Sequence, residues 1–332
     1  LLAAKLIPDP YFGDNLTKSE WVGDVPWTYS RSFTLSPSFV KHREIVLRCE
    51  GLDTLASITV NGKPLAQTDN MFRTWEFDAK PFVHAGANTI TISFAPVKAY
   101  VKAAIHQPMY VGKVDEGHDW ALIRKAPYQP GWDFAPDMIT AGIWRKIGLI
   151  GWDDARITDI GVVQDHRRPG IVKLAVTTTA DTHEAVTADF TLSLGSNTVA
   201  ESRAGVTNGS ALQTLIVKHP QLWWPNNMGA HPLYTLHVSL LDSHGNVVDS
   251  TTRTIGLRTI TWIPATSTKP LMLEVNGVPF FAKGSNWVPC DSMMTRTTPA
   301  QIDKLVDDAV AANMNIMRLW GGGFYEDDEL YN

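Results

Sequence analysis

Short segments in which apolar and polar residues alternate follow one another from about residue 27: "WTYSRSFTL", "EIVLRCE", "TLASITV", "FRTWEFD" and "NTITISF". A period of two marks strands with one buried face, and a helix cannot satisfy it. Asn61-Gly62, directly after the third segment, is the strongest short hairpin signal. The spacing therefore predicts an antiparallel β-sandwich over residues 1–155, interrupted by a short helix at "VKAYVKAAI", residues 97–105.

After "GWDDARI" comes a second set: "ITDIGVVQ", "IVKLAVTTTA", "VTADFTLSL", "LQTLIVK", "YTLHVSLLD" and "VVDSTTRTIGLR". Strands at roughly ten-residue spacing, rich in Val, Thr and Ile and separated by turns such as "HRRPG" and "DSHGN", predict an immunoglobulin-like sandwich over residues 156–258. No disulfide marks it. The pattern changes near residue 259. "LMLEVNGVPFFAKGSNW" reads as a hairpin and a strand, and "TPAQIDKLVDDAVAAN" as a helix. Thr298 can cap that helix, Pro299 suits its first turn, and Gln301 completes a capping box. Ile302, Leu305, Val306, Ala309 and Val310 share one face. "MNIMRLW" follows as a strand, and the acidic residues of "YEDDELYN" suit a helix start. Residues 259–332 are thus expected to open an α/β domain, barrel or open sheet, and two strands cannot close a barrel. The fold class expected is multidomain and mainly β.

Length agrees, because 332 residues exceed what one core usually supports. No apolar run approaches the roughly 18 residues of a membrane span. A net charge of -5 without a basic cluster argues against nucleic acid or an anionic membrane as partner, leaving a neutral ligand. Cys49 and Cys290 lie outside any Cys-x-x-Cys or Cys/His pattern, and both read as core thiols. The ten histidines show no ligand spacing, so neither metal nor cofactor is expected. The sequons at Asn15 and Asn208 carry little weight. Twelve tryptophans are unusual; a large core absorbs indoles, but such rings also stack on sugar faces.

"RLWGGG" invites comparison with a phosphate loop. A G-x-G-x-x-G count from Gly321 meets Glu326 where the third glycine belongs, and no Gly-Lys-Ser/Thr follows, so nucleotide binding is set aside. Arg318 instead lies near the end of a strand, where barrel residues line active sites and an arginine can hold a carboxylate; a structural ion pair is the plainer alternative. "GSNWVPCD" leaves the preceding strand carrying Trp287 and Asp291. If the two loops share one barrel face, Asp291, Trp287, Arg318 and Trp320 converge there, although Asp291 is as well suited to bracing its own loop. "YQPGWDFAPDMITAGIW" is a loop restricted by Pro-Gly and Pro136 that presents Trp132, Asp133 and Phe134 together. A stacking plane beside a hydroxyl acceptor is sugar-recognition chemistry; packing within its own domain is the alternative. Trp223 and Trp224 of "QLWWPNNMG" are expected to fill a domain junction, with a second sugar site as the minor alternative.

"DPYFGDN", "EWVGDVPWTYSRSF", "NGKPL", "RKAPYQPGWDFAPDMITAGIWRKI", "LWWPN", "GSNWVPCD" and "NMNIMRLWGGGFYEDDELYN" together resemble, in order, the landmarks of the β-mannosidases of glycoside hydrolase family 2. The resemblance spans essentially the whole chain. Its most specific element is Arg-x-Trp-Gly-Gly-Gly followed by Tyr-Glu, where the family's β-galactosidases and β-glucuronidases look instead like Arg-x-Ser-His-Tyr. It implies a jelly-roll-like sugar-binding sandwich, an immunoglobulin-like domain and the start of a (β/α)8 TIM barrel. It implies that Trp132 and Asp133 reach the subsite of a terminal mannose, that Arg318 supports the nucleophile, and that Trp287, Asp291 and Trp320 line the pocket. One departure stands out: Phe134 and Ala135 replace the Trp and Gly of the usual Gly-Trp-Asp-Trp-Gly-Pro. The implied reaction is retaining hydrolysis by two glutamates, both expected beyond Asn332, so this chain alone is expected to be inactive; Glu326 and Glu329 are assigned to a helix start. The expected partners are β-mannosides, from manno-oligosaccharides or N-glycans, with a homodimer allowed and a periplasmic, secreted or lysosomal setting favoured over the cytoplasm. The competing functions are an endo-β-mannosidase or exo-β-glucosaminidase of the same family, and a non-catalytic carbohydrate-binding protein.

Overall fold

The structure, a computed structural model, describes residues 1–104, 122–133, 135–268 and 270–331. The chain divides into two compact units. One comprises Leu1–Gly151, Trp287–Lys304 and Leu319–Tyr331; the other comprises Trp152–Asn286 and Leu305–Arg318.

In the first unit, a four-stranded antiparallel sheet runs in the order Trp27–Leu35, Gly86–Phe94, Ala56–Val60, Lys63–Thr68. A three-stranded sheet is ordered Trp75–Asp78, Glu44–Cys49, Ile147–Trp152, and Leu52–Asp53 pairs with Gly142–Ile143. Alternation decides what is buried: Ile45, Leu47 and Cys49 turn inward from one strand and pack with Ile58, Ile92 and Phe94. Val60 pairs with Lys63 across the predicted two-residue turn. Asn61 and Gly62 have φ of 50° and 76°, the left-handed pair that a type I′ hairpin requires. Helix α1, Val97–Ala104, buries Val97 and Val101, spaced four apart, against Ile123 and Ile139. Ile105, the last residue of the expected helix, lies outside the described residues.

The second unit contains a three-on-four sandwich. Ala155–Asp165, Ile171–Thr182 and Ser210–Lys218 form one sheet; Asn197–Gly205, Thr187–Leu194, Leu233–Leu241 and Val247–Gly256 form the other. Phe190, Leu192, Leu236 and Val238 meet Leu174, Val176 and Leu215 in a single core. Tyr234, buried at the start of its strand, accepts a hydrogen bond at its hydroxyl from the Gln221 amide (2.9 Å), the corner brace of immunoglobulin-like sandwiches. The edge strand Asn197–Gly205 is absent from the strands expected from sequence. Its residues are largely polar and partly exposed, so it carries no clean alternation to read.

Trp223 sits where this sandwich meets the segment after residue 259, whereas Trp224 bonds locally to Ala230 and His231. Trp223 packs under the Arg258 guanidinium at 4.6 Å and its carbonyl accepts from Asn276 Nδ2 at 2.9 Å. Three residues after Trp223, Asn226 Nδ2 donates to the Val310 and Met314 carbonyls. The segment itself is a meander, Ile260–Ile263, Met272–Val275 and Val278–Phe280, whose last turn is again Asn-Gly.

The two strands Gly284–Trp287 and Ile316–Leu319 form a sheet of their own. They run in the same direction: the Asn315 amide bonds the Lys283 carbonyl at one end, and the Trp320 amide bonds the Trp287 carbonyl at the other. Between them in sequence lies helix α2, Pro299–Ala311. Its capping box forms as read: the Thr298 amide donates to Gln301 Oε1 (2.8 Å), and the Gln301 amide donates back to Thr298 Oγ1 (3.4 Å). Its apolar face is covered only in part, since Ile302 is buried while Leu305 and Val310 are 44% and 49% exposed. Helix α3 is the single turn Asp328–Tyr331. No barrel is visible among the described residues, and the expected barrel opening amounts here to one strand, one helix and one strand. Cys49 is a core thiol, but Cys290 is not: it lies exposed in the loop after the strand Gly284–Trp287 has ended.

Candidate functional site

The loop after Tyr128 is a narrow hairpin. The Met138 amide bonds the Gln129 carbonyl at 2.8 Å, Pro130 bridges Asp137, and Trp132 and Ala135 exchange backbone bonds of 2.9 and 3.1 Å. Gly131 enters it at φ of 106°, a conformation only glycine adopts without strain. At the tip, Trp132 is 44% exposed and Asp133 is exposed beside it. Ala135 points the other way, into a buried cluster with Met71, Tyr128 and Met294 against which Phe72, Trp144, Trp320 and Phe324 pack. Phe134 lies outside the described residues.

Trp320 belongs to this unit and meets Trp132 edge-on, ring centroids 5.1 Å apart and planes at 63°. Two loops far apart in sequence thereby present adjoining indoles with a carboxylate at their edge. The glycines after Trp320 have a specific task at one position, since a Cβ at Gly322 would overlap the six-membered ring of Trp320. Gly322→Ala is accordingly expected to push Trp320 off Trp132, destabilising the unit by about 1–3 kcal/mol, the usual cost of overpacking. Loss of the near-ultraviolet circular-dichroism signal of the paired indoles would register the displacement; an unchanged spectrum and melting temperature would refute it.

Trp287 and Glu326 form a buried pair. The indole Nε1 donates to Glu326 Oε1 at 2.9 Å, and the two residues are 8% and 6% exposed. Burial raises the carboxyl's pKa above its ordinary value, opposed by the Trp287 bond and by Arg145 and reinforced by the charge of Asp327. Arg145 stacks on Trp144 at 4.3 Å, donates from Nη2 to the carbonyls of Tyr325 (2.7 Å) and Glu326 (3.1 Å), and pairs with Asp327. Glu326 therefore precedes α3 as a buried anchor, whereas Glu329 lies on the helix as expected. Asp291 braces its loop: it accepts from the Tyr11 hydroxyl and from the Met293 amide (2.7 Å), and pairs with Arg296 at 3.3 Å. Burial, then the bond to Asp291, pushes the Tyr11 phenol up to about 12.

Among the residues singled out from sequence, Trp132, Asp133 and Trp320 come together, and Trp287 joins them through its backbone bond to Trp320. Arg318 belongs to the second unit, where it is exposed and Nη1 donates to Asn286 Oδ1 at 3.0 Å on the neighbouring strand. A cavity of 610 Å³ in the first unit, lined by the N-terminal segment and residues 137–144 and 293–296, includes none of the three convergent residues.

The strongest interaction near the loop was missed in the sequence. Lys125 Nζ lies 2.5 and 2.6 Å from the two carboxylate oxygens of Asp53, with the side chains only 1% and 2% exposed. Nζ also donates to the Thr140 carbonyl (2.7 Å), and Thr140 Oγ1 donates to Asp53 (2.7 Å). Lys125 and Thr140 flank the Trp132 loop, so one buried carboxylate ties its two stems together. No spacing rule connects positions 53, 125 and 140.

Two β-sandwiches, the first with an exposed indole beside a carboxylate, fit the family descriptions that match the chain: the galactose-binding-like domain of glycosyl hydrolase 2 over residues 1–145, and glycosyl hydrolases family 2 over residues 155–258. The chain belongs to glycoside hydrolase family 2. Among individual relatives, β-mannosidase B of Aspergillus oryzae is 33% identical over 100% of the chain and 40% of its own length. β-Mannosidase B of Emericella nidulans is 31% identical over 98% of the chain and 39% of its own length. The crystal structure of a β-D-mannosidase from Dictyoglomus thermophilum superposes with a TM-score of 0.92 at 34% identity, covering 100% of this chain and 42% of that one. The chain thus spans about 40% of the length of the curated relatives it matches.

Proposed function

We propose that the full-length protein is a retaining β-mannosidase that releases terminal β-D-mannose from manno-oligosaccharides or N-glycan-derived β-mannosides, and that this chain supplies its grip on the sugar. The observation that carries the reading is the Trp132–Asp133 tip seated against Trp320, in a chain whose similarity to β-mannosidases runs from end to end. Indole faces give apolar cover to the C–H face of a pyranose, and a carboxylate at their edge accepts from its hydroxyls. Trp287 supports this subsite by holding the Trp320 loop at both ends, and Asp291 braces the loop that follows Trp287. Residues 1–155 form the sugar-binding sandwich, 156–258 the immunoglobulin-like domain, and 259–332 the opening of the catalytic barrel.

The chemistry follows from the class of reaction. One glutamate attacks the anomeric carbon and displaces the leaving group, which a second glutamate protonates; water then resolves the glycosyl-enzyme, the carboxyls standing about 5–5.5 Å apart. Both are assigned to residues outside this chain. Glu326 is buried against Trp287, and Glu329 starts a helix. Arg318 takes the part of a cation for the nucleophile. The test is the full-length enzyme on paired aryl β-glycosides: hydrolysis of the mannoside over the glucosaminide is expected, and a clear preference for the glucosaminide would overturn the assignment.

A further inference from the structure

We infer that Glu326 is a positioning residue: through Trp287 it fixes the loop Trp320–Glu326, and so sets Trp320 against Trp132. This rests on the proposed sugar subsite. Trp287 holds both ends of that loop. Its carbonyl accepts the Trp320 amide (2.9 Å) where the loop begins, and its indole N–H is taken by Glu326 (2.9 Å) where the loop ends. Between these points the Gly323 amide closes a turn on the Trp320 carbonyl (3.1 Å), and Phe324 packs edge-on against Trp144 with centroids 5.9 Å apart. Arg145 fastens the carbonyls of Tyr325 and Glu326.

Glu326 is tethered at both its main chain, by Arg145, and its carboxylate, by Trp287. In this role it acts through Trp287 and not on substrate; its bond decides where the six preceding residues lie. A carboxylate buried without its donor is costly, so the pair acts as a unit. Glutamine retains the acceptor oxygen and leucine does not.

The test compares Glu326→Gln, Glu326→Leu and Trp287→Phe in the full-length protein. For the leucine and phenylalanine variants, KM for an aryl β-mannoside is expected to rise roughly tenfold with kcat changed less than about threefold, the pattern of lost binding rather than lost chemistry. Amide hydrogen exchange over residues 320–326 should accelerate in both, and Glu326→Gln should restore both readouts. A glutamine variant as impaired as the leucine variant, with the loss in kcat, would make the carboxylate a reacting group and overturn the inference. Unchanged exchange over 320–326 in the leucine variant would also overturn it. Should the wild-type enzyme fail to cleave the mannoside, the β-mannosidase reading falls, whereas the exchange comparison still decides the role of Glu326 in the loop.

Discussion

Lys125→Met is expected to destabilise the first unit by about 3–5 kcal/mol, because it leaves the Asp53 carboxylate buried without its cation. Thr140 Oγ1 still reaches Asp53, but one hydroxyl does not replace a charge-assisted pair. Burial pulls the Lys125 ammonium's pKa down and Asp53 pushes it back up, so the lysine keeps its place through that partner. The loss has a second component. Lys125 Nζ also holds the Thr140 carbonyl, so the stems on either side of the Trp132 loop separate when it is removed. Urea unfolding followed by hydrogen exchange in peptides of the first unit would show an earlier transition there, with the second unit's transition unmoved. Asp53→Leu combined with Lys125→Met should recover much of the loss, since an apolar pair of similar volume avoids both desolvation costs. A single-variant shift worth less than about 1 kcal/mol would mean that the pair behaves like an exposed one, contrary to its burial.

Asp133→Ala in the full-length enzyme should lower kcat/KM for a β-mannoside by about 10- to 1,000-fold, equivalent to about 1 to 4 kcal/mol of transition-state binding. The side chain is exposed at the tip of a rigid hairpin, so its removal disturbs no packing and should leave the melting temperature in place. That combination, activity lost and stability kept, separates it from Lys125. A stable variant of unchanged rate would remove Asp133 from the sugar subsite.

Much of the fold was legible because the signals that specify it are local. Asn61-Gly62 turns the first-sandwich hairpin where the dipeptide predicts, and Thr298 and Gln301 cap α2 reciprocally. The strand Asn197–Gly205 escaped because an exposed edge needs no alternation. Cys290 was misplaced because residue type alone does not say whether a thiol lies on a strand or in the loop after it. At the site, Trp132, Asp133 and Trp320 could be picked out as aromatic and acidic residues in loops bent by proline and glycine. Glu326 could not, since its acidic neighbours read as a helix start and its partner Trp287 is 39 positions away.

What the sequence determined by itself is therefore most of the inventory: nearly all the strands with their inward faces, the turns, the helix and its cap, and the loops that bear the candidate site. Each depends on residues within a few positions of one another, where periodicity and backbone sterics act directly. Only the tertiary structure decided which loops meet and what holds them. The Asp53–Lys125–Thr140 tie and the Trp287–Glu326–Arg145 anchor join positions that no sequence period relates. Their worth comes from distance and burial, which exist only once the sheets have brought the segments together and excluded water.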